Sequence, residues 1–198
     1  GEVVFDSEST YLWCLVMRPE GTIYAGGGTP ARIYEISPGG SARMLVELPA
    51  TNVLSLAAGS SGELYAGTST NGVVYRVAAD GTARAICEVP GESVAALVLD
   101  EGGNLFAAAT PGGDIYRVPP DGPAALHCET EEQTIYGLAL LPQGELIAAT
   151  GPKGLLLRIG NDGRPEIIFR PETGLATALA LAGGAIYVGS SAPSLLRK

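Results

Sequence analysis

Residues 63–89 read ELYAGTSTNGVVYRVAADGTARAICEV and contain three short apolar runs separated by turn-forming residues. The runs are too short for helices and are rich in Val, Ile, Tyr and Ala, a pattern that favours β-strands. Asp80-Gly81 lies between the last two runs, and an Asp-Gly pair at such a place predicts a β-hairpin with a type I′ turn. The stretch therefore predicts three consecutive antiparallel strands.

The same pattern recurs along the whole chain with a period of 41 residues. Each repeat has a further apolar run at its start, so a complete repeat contains four. A unit of about 40 residues with four short strands is typical of one blade of a β-propeller. The period is shown by the leucines of the first run, Leu15, Leu56, Leu97, Leu138 and Leu179. It is also shown in the second run, where the last step is 40 residues, by Tyr24, Tyr65, Phe106, Ile147 and Tyr187.

We predict an all-β protein, a five-bladed β-propeller that forms a single domain over residues 1–198. The last repeat lacks its fourth run, whereas residues 1–9 align with the fourth run of the other repeats after a shift of one period. We expect this amino-terminal strand to complete the last blade and close the ring, because an unpaired sheet edge promotes aggregation. The alternative is a portion of a larger propeller. The blades are expected at residues 11–49, 53–90, 94–131, 135–172 and 176–198 plus 1–9.

The first strand of each repeat is expected to be innermost and buried on both faces, because its run is almost continuously apolar. One position within this run varies between repeats, unlike its neighbours. The residues there are Trp13, Leu54, Ala95, Tyr136 and Thr177, and the column at the start of the strand reads Tyr11, Asn52, Ser93, Thr134 and Leu175.

The chain resembles bacterial β-propeller repeat proteins of the NHL-like, YVTN-like and sensor-kinase types. Residues 63–68, 72–77 and 80–82 carry the resemblance best, and it extends over essentially the whole chain. The resemblance implies a scaffold whose loops bind partners, and it does not specify an activity, since propellers carry many unrelated functions.

Composition excludes several classes of protein. Charged residues make up 17% of the chain and hydrophobic residues 46%, which is too apolar for a disordered segment. The net charge of −9, with scattered basic residues, argues against nucleic-acid binding. No apolar run is long enough to cross a membrane, and no signal peptide is evident, so we expect a soluble protein without assigning a compartment.

The sequence gives no sign of metal, cofactor or nucleophilic chemistry. The three cysteines, Cys14, Cys87 and Cys128, do not form a disulfide framework. The single histidine, His127, lies in a predicted outer strand, where packing is the expected role. A metal site would need further ligands at fixed spacing, and we predict no cofactor and no metal.

We predict a non-catalytic scaffold for protein interaction or ligand sensing, with a protein or a small neutral or cationic ligand as partner. The chain is expected to be a monomer if the ring closes and an oligomer if it does not. The alternatives are a carbohydrate-binding domain and a glycoside hydrolase, whose chemistry would need two carboxyl groups. The candidate binding residues are large, amphipathic or acidic and lie near one loop face: Tyr11, Trp13, Asn52, Glu92, Glu132 and Tyr136.

Overall fold

A computed structural model describes residues 3, 5–171, 174–191 and 194–197. These residues contain nineteen β-strands and no helix. By contacts, the chain divides into unit 1, Gly1–Val94, and unit 2, Ala95–Lys198. Each unit is described by itself.

Unit 1 contains two four-stranded antiparallel meanders, as the sequence predicts. The first sheet consists of β1 (Tyr11–Met17), β2 (Ile23–Gly28), β3 (Arg32–Ile36) and β4 (Ala42–Glu47). The second consists of β5 (Asn52–Ala58), β6 (Leu64–Ser69), β7 (Val73–Val77) and β8 (Ala83–Glu88). Consecutive strands pair within each sheet. One bridge, between Gly28 and Asn52, joins the end of β2 to the start of β5.

Unit 2 continues the same pattern, and its first strand begins two residues before the unit boundary. The third sheet consists of β9 (Ser93–Leu99), β10 (Leu105–Thr110), β11 (Ile115–Val118) and β12 (Ala125–Cys128). The fourth consists of β13 (Thr134–Leu140), β14 (Leu146–Gly151), β15 (Leu156–Ile159) and β16 (Pro165–Phe169). The fifth consists of β17 (Ala176–Ala182), β18 (Ala185–Ser191) and β19 (Ser194–Arg197).

The core lies between sheets, because a four-stranded sheet has two apolar faces and cannot bury either alone. In unit 1 the second sheet packs Val53 and Leu56 against Cys14, Val16 and Ile33 of the first sheet. We call the face of a sheet that carries Val53 and Leu56, or the residues equivalent to them, its leading face. The opposite face, which in the first sheet carries Cys14, Val16 and Ile33, is the trailing face. The third and fourth sheets of unit 2 pack in the same manner, and so do the fourth and fifth.

The leading face of the first sheet is only partly covered. Tyr34, on β3, is buried beneath Phe5, whereas Leu15 and Met17, on β1, are 67% and 68% exposed. The residue that corresponds to Leu15 in the second sheet, Leu56, is only 9% exposed. Most of β17 is also exposed. The prediction that the first strand of every repeat is buried on both faces is therefore wrong for β1 and β17.

The predicted type I′ turns are also wrong. In the turn after β7, Gly81 has a φ of +88° and donates its N–H to the carbonyl of Ala78, and Asp80 is not at positive φ. The Asp80 carboxylate instead accepts the N–H of Thr82 at 2.8 Å. This backbone hydrogen bond lowers the pKa of Asp80. The Asp-Gly pair therefore predicts the hairpin correctly but not the type of turn. The Asp80 carboxylate caps the turn, and only Gly81 adopts the left-handed conformation.

Among the described residues 3 and 5–9, no strand forms. Residues 1, 2 and 4, which belong to the predicted closing strand, lie outside the described residues. The five-blade closure is therefore not confirmed.

We expect Ile33→Ala to lower the free energy of unfolding of unit 1 by about 2–5 kcal/mol, because Ile33 is fully buried and its loss leaves a cavity. The measurement is urea denaturation followed by circular dichroism. Ile168→Ala is the control, since Ile168 is 40% exposed and its replacement should cost less than about 1 kcal/mol. Equal losses in the two variants would contradict the assignment of the core.

Candidate functional site

A β-bulge recurs in the first strand of four sheets, and it falls on the variable column. In β1, Leu12 and Cys14 face consecutive residues of β2, so Trp13 is the extra residue. The same shift makes extra residues of Leu54, Tyr136 and Thr177. Bulges redirect a side chain and frequently adjoin functional sites. The fold therefore gives each of these repeats one position that is free of the pairing constraint.

Trp13 is held by a chain of hydrogen bonds that leads into the second sheet. Its indole Nε1 donates to Oδ1 of Asn52 at 3.1 Å, and Nδ2 of Asn52 donates to Oγ of Ser69 at 2.8 Å. The rings of Tyr11 and Trp13 lie 5.2 Å apart, inclined at 35°. Both side chains are about half exposed, Tyr11 at 55% and Trp13 at 51%. The structure thus brings together three of the six predicted site residues.

The polar rim beside Asn52 consists of threonines. Thr51 and Thr70 hydrogen bond through their hydroxyls at 3.0 Å, and the N–H of Thr29 donates to the carbonyl of Thr51 at 2.9 Å. Thr29 and Thr70 occupy positive φ, at 52° and 76°. A β-branched residue in this region is strained. We call Tyr11, Trp13, Thr51, Asn52, Ser69 and Thr70 the aromatic surface.

Gly28 is required for this arrangement. It pairs with Asn52 across the sheet boundary, and a Cβ on it would collide with Asn52 Oδ1 and Trp13 Nε1, the two atoms of the indole hydrogen bond. Gly151 occupies the same position in the fourth sheet, where the ring of Tyr136 lies against it. Tyr136 is 42% exposed. The second and third sheets, whose bulge column holds Leu54 and Ala95, have Ser69 and Thr110 instead of glycine.

The two predicted acidic residues lie in different environments. Glu92 is exposed, and its carbonyl accepts the N–H of Gly72 at 3.3 Å. Glu132 is only 4% exposed, and its carboxylate lies 3.1 Å from Nζ of Lys153 and accepts the hydroxyl of Thr150 at 3.2 Å. These contacts join the loop that carries Glu132 to the end of β14 and to the loop that follows it. The ligand-binding role of Glu92 and of Glu132 stays a prediction.

His127 packs in the outer strand of the third sheet. It is the extra residue of a bulge in β12, a position held by Leu45, Ile86 and Ile168 in the other sheets. Its imidazole meets the ring of Phe106 edge to face, with centroids 5.1 Å apart. Burial, reinforced by the nearby Arg117 charge, lowers the pKa of His127 below its ordinary value of 6.5.

The thiols are also held in their protonated form. Burial raises the pKa of Cys14 to about 12 and those of Cys87 and Cys128 to about 11. All three cysteines are free. Within the described part of the chain, no group of three or more His, Cys, Asp or Glu residues is placed to hold a metal ion.

The architecture is that of propeller-type repeat proteins, as solved structures confirm. Virginiamycin B lyase from Staphylococcus aureus aligns with a TM-score of 0.79 at 14% identity, over 94% of this chain and 68% of its own. A nidogen/laminin complex structure aligns with a TM-score of 0.79 at 14% identity, over 90% and 72%. The calcium-binding protein regucalcin from Agrobacterium tumefaciens gives 0.69 at 19%, over 89% and 67%.

These likenesses establish the fold alone, because the identities are low. No family model and no curated protein matches the sequence. None of the described residues forms a helix that is long and apolar enough to span a membrane.

We expect Gly28→Ala to release the Trp13 indole, because the added methyl group occupies the place of the hydrogen bond to Asn52. Trp13 is the only tryptophan, so protein fluorescence reports on it alone. The emission should shift to longer wavelength and acrylamide quenching should increase. Gly39→Ala is the control, since only the Ser37 hydroxyl lies within 4 Å of its added Cβ. An unchanged spectrum for Gly28→Ala would show that the indole is not fixed by this contact.

We expect His127 to make unit 2 less stable in mild acid. Because folding lowers the pKa of His127, the unfolded chain binds the proton more readily. The stabilisation is complete above the unfolded value of about 6.5 and is lost as the pH falls through the folded pKa. Urea denaturation between pH 8 and pH 5 should show a smaller loss for His127→Gln than for the parent. Identical pH profiles would contradict the assigned shift.

Proposed function

We propose that this protein is a non-catalytic propeller scaffold that binds a partner protein or a small ligand through the aromatic surface. The observation that carries the proposal is that a hydrogen-bond chain keeps the exposed indole of Trp13 in place while the exposed ring of Tyr11 lies against it. Exposed Trp and Tyr side chains are common at binding hot spots because they offer a large contact area. Tyr136, which occupies in unit 2 the bulge position that Trp13 occupies in unit 1, is proposed as a further binding residue.

Backbone strain at the rim supports a functional role for this surface. Thr29 and Thr70 correspond to each other in the repeat, and both occupy positive φ next to Thr51. Strained residues of this kind tend to cluster at functional sites. The strain here lies beside the exposed rings.

Several of the groups that could perform catalysis are engaged in structural contacts. Burial keeps the three thiols protonated, since it raises their pKa values to about 11 or 12. His127 packs on Phe106, and the carboxylate of Glu132 is directed to Lys153 and Thr150. The fold does not decide the question, because proteins that share it include a lyase and a calcium-binding protein. The proposal therefore rests on the aromatic surface.

We also propose that residues 1–9 act as the fourth strand of the fifth sheet and that this sheet covers the first, which gives a closed ring of five blades. The support is a repeated contact. Phe5 packs on Tyr34 with ring centroids 5.0 Å apart. One period later, Val46 and Tyr75 lie in one core cluster. Phe5 thus contacts the first sheet as Val46, on β4, contacts the second sheet.

We expect probes from a library of small neutral and cationic fragments to change the Trp13 fluorescence of the intact protein in a saturable way. Trp13→Ala would remove the fluorescence signal itself, so binding to that variant is followed by ligand-observed NMR. Loss of binding in this variant, with retention in Leu126→Ala, is the expected result; Leu126 is a 53% exposed residue of β12. Fragments that bind elsewhere and are turned over by the protein would overturn the proposal.

Closure is tested by the stability of Leu15→Asp. In a closed ring Leu15 would be buried, and the introduced charge should cost at least about 3 kcal/mol. The exposed Ile168→Asp serves as the control, and light scattering should give a mass near 20.2 kDa. Equal stability of the two variants would refute closure, and so would a larger mass that Leu15→Asp reduces to the monomer.

A further inference from the structure

We infer that the aromatic surface binds a neutral saccharide, with the sugar ring stacked on Trp13 and Tyr11 and its hydroxyls bonded to Asn52 and Ser69. This inference rests on the proposed function and names its ligand class. Three features of the surface carry it: its lack of charge, the hydrogen-bonding capacity that remains, and the geometry of the rings.

The aromatic surface contains no Asp, Glu, Lys, Arg or His residue. The charged groups beside this end of the first sheet are one arginine and two carboxylates. Arg32 lies 2.7 Å from the carboxylate of Glu8 and 2.8 Å from that of Glu47. The arginine is therefore engaged, and the aromatic surface itself offers a ligand no charged side chain. An uncharged ligand does not have to give up a strongly held hydration shell in order to bind there.

The remaining hydrogen-bonding capacity suits vicinal hydroxyl groups. Trp13 has one donor, and Asn52 already accepts it, so the indole offers a partner only its apolar ring. Asn52 uses one amide hydrogen toward Ser69, which leaves it a second hydrogen and a second lone pair. Ser69 accepts that bond through oxygen and can donate its own hydrogen. Donor and acceptor thus lie side by side, and neighbouring sugar hydroxyls likewise both donate and accept.

The rings supply the apolar part of the site. The ring centroids of Tyr11 and Trp13 lie 5.2 Å apart, the ring planes are inclined by 35°, and both side chains are about half exposed. The exposed parts of the two rings provide an apolar surface. A pyranose has one face of C–H groups that can lie on such a surface while its equatorial hydroxyls reach the rim. A flat ligand without hydroxyls would leave the second amide hydrogen of Asn52 without a partner on binding, which costs affinity.

Unit 2 keeps the ring but not its polar partner. Tyr136 is 42% exposed against Gly151, at the position that corresponds to Trp13 against Gly28. The strand that carries it begins at Thr134, in the place of Tyr11, and the residue in the place of Asn52 is Leu175. A leucine side chain offers neither donor nor acceptor, so the saccharide contact is expected at the aromatic surface and not at Tyr136.

The test titrates the full chain with cellotetraose, maltotetraose and chitotetraose and follows the emission of Trp13. A saturable change with at least one of them is expected. Asn52→Ala should weaken that binding about 5-fold or more, because one hydrogen-bonding group is lost. Tyr11→Leu should also weaken it, and Leu126→Ala should not. Ser69→Ala gives a second test of the polar contacts should Asn52→Ala fail to fold.

The outcomes separate this inference from the proposed function. If no saccharide binds but a hexaproline peptide or an uncharged fragment changes the Trp13 emission, the inference is overturned and the binding surface stands. If saccharides bind with equal affinity to Asn52→Ala and Tyr11→Leu, they bind elsewhere and the inference is again overturned. If none of the saccharides, peptides or fragments binds, both the inference and the proposed function fail.

Discussion

Burial of one sheet face by the next sheet is the interaction on which this structure depends. A four-stranded sheet of short strands has two apolar faces and no core of its own. In unit 1 the bulky leading face of the second sheet, with Val53 and Leu56, meets the smaller side chains Cys14 and Val16 on the trailing face of the first. In unit 2, Leu138 and Ala96 occupy the corresponding positions. On the leading face of the first sheet the same residue type, Leu15, is 67% exposed.

The repeated β-bulge explains how so regular a framework can hold a specialised surface. Positions that pair within a sheet and pack between sheets must agree from repeat to repeat, because each meets the same neighbours. The bulged residue has no partner across the strand, so it is free of this requirement. Trp13 and Tyr136 use that freedom to place large rings at the surface, whereas Leu54 and Thr177 do not.

Much of the fold could be predicted from the sequence, because the period of 41 residues and the position of each apolar run are local signals. The exposure of the first sheet's leading face could not, since the same leucine is buried at position 56 and exposed at position 15. The exposure of a strand depends on what packs against it, and the strand's own residues do not encode that. The prediction of type I′ turns is wrong because Asp80 acts through its side chain and only Gly81 adopts positive φ.

The site was predictable in part. The two columns at the start of the first strand, one with Trp13 and the other with Tyr11 and Asn52, identified three residues that the structure brings together. The sequence predicted Glu132 as a binding residue near a loop face, but its side chain is buried. It contacts Lys153 and Thr150, which lie about twenty positions later in the sequence. The strain at Thr29 and Thr70 has no sequence signature, since threonine rarely adopts this conformation.

The pairing of a bulged ring with a glycine on the neighbouring strand restricts how such a protein can diversify. A ring at Leu54 or Ala95 would meet the side chain of Ser69 or Thr110, at the positions where Gly28 and Gly151 leave space. A repeat therefore gains an aromatic residue there most readily by two changes, and the glycine has to come first. Duplication of an entire repeat carries both residues together, so copying is a shorter evolutionary route to a new binding position than point mutation.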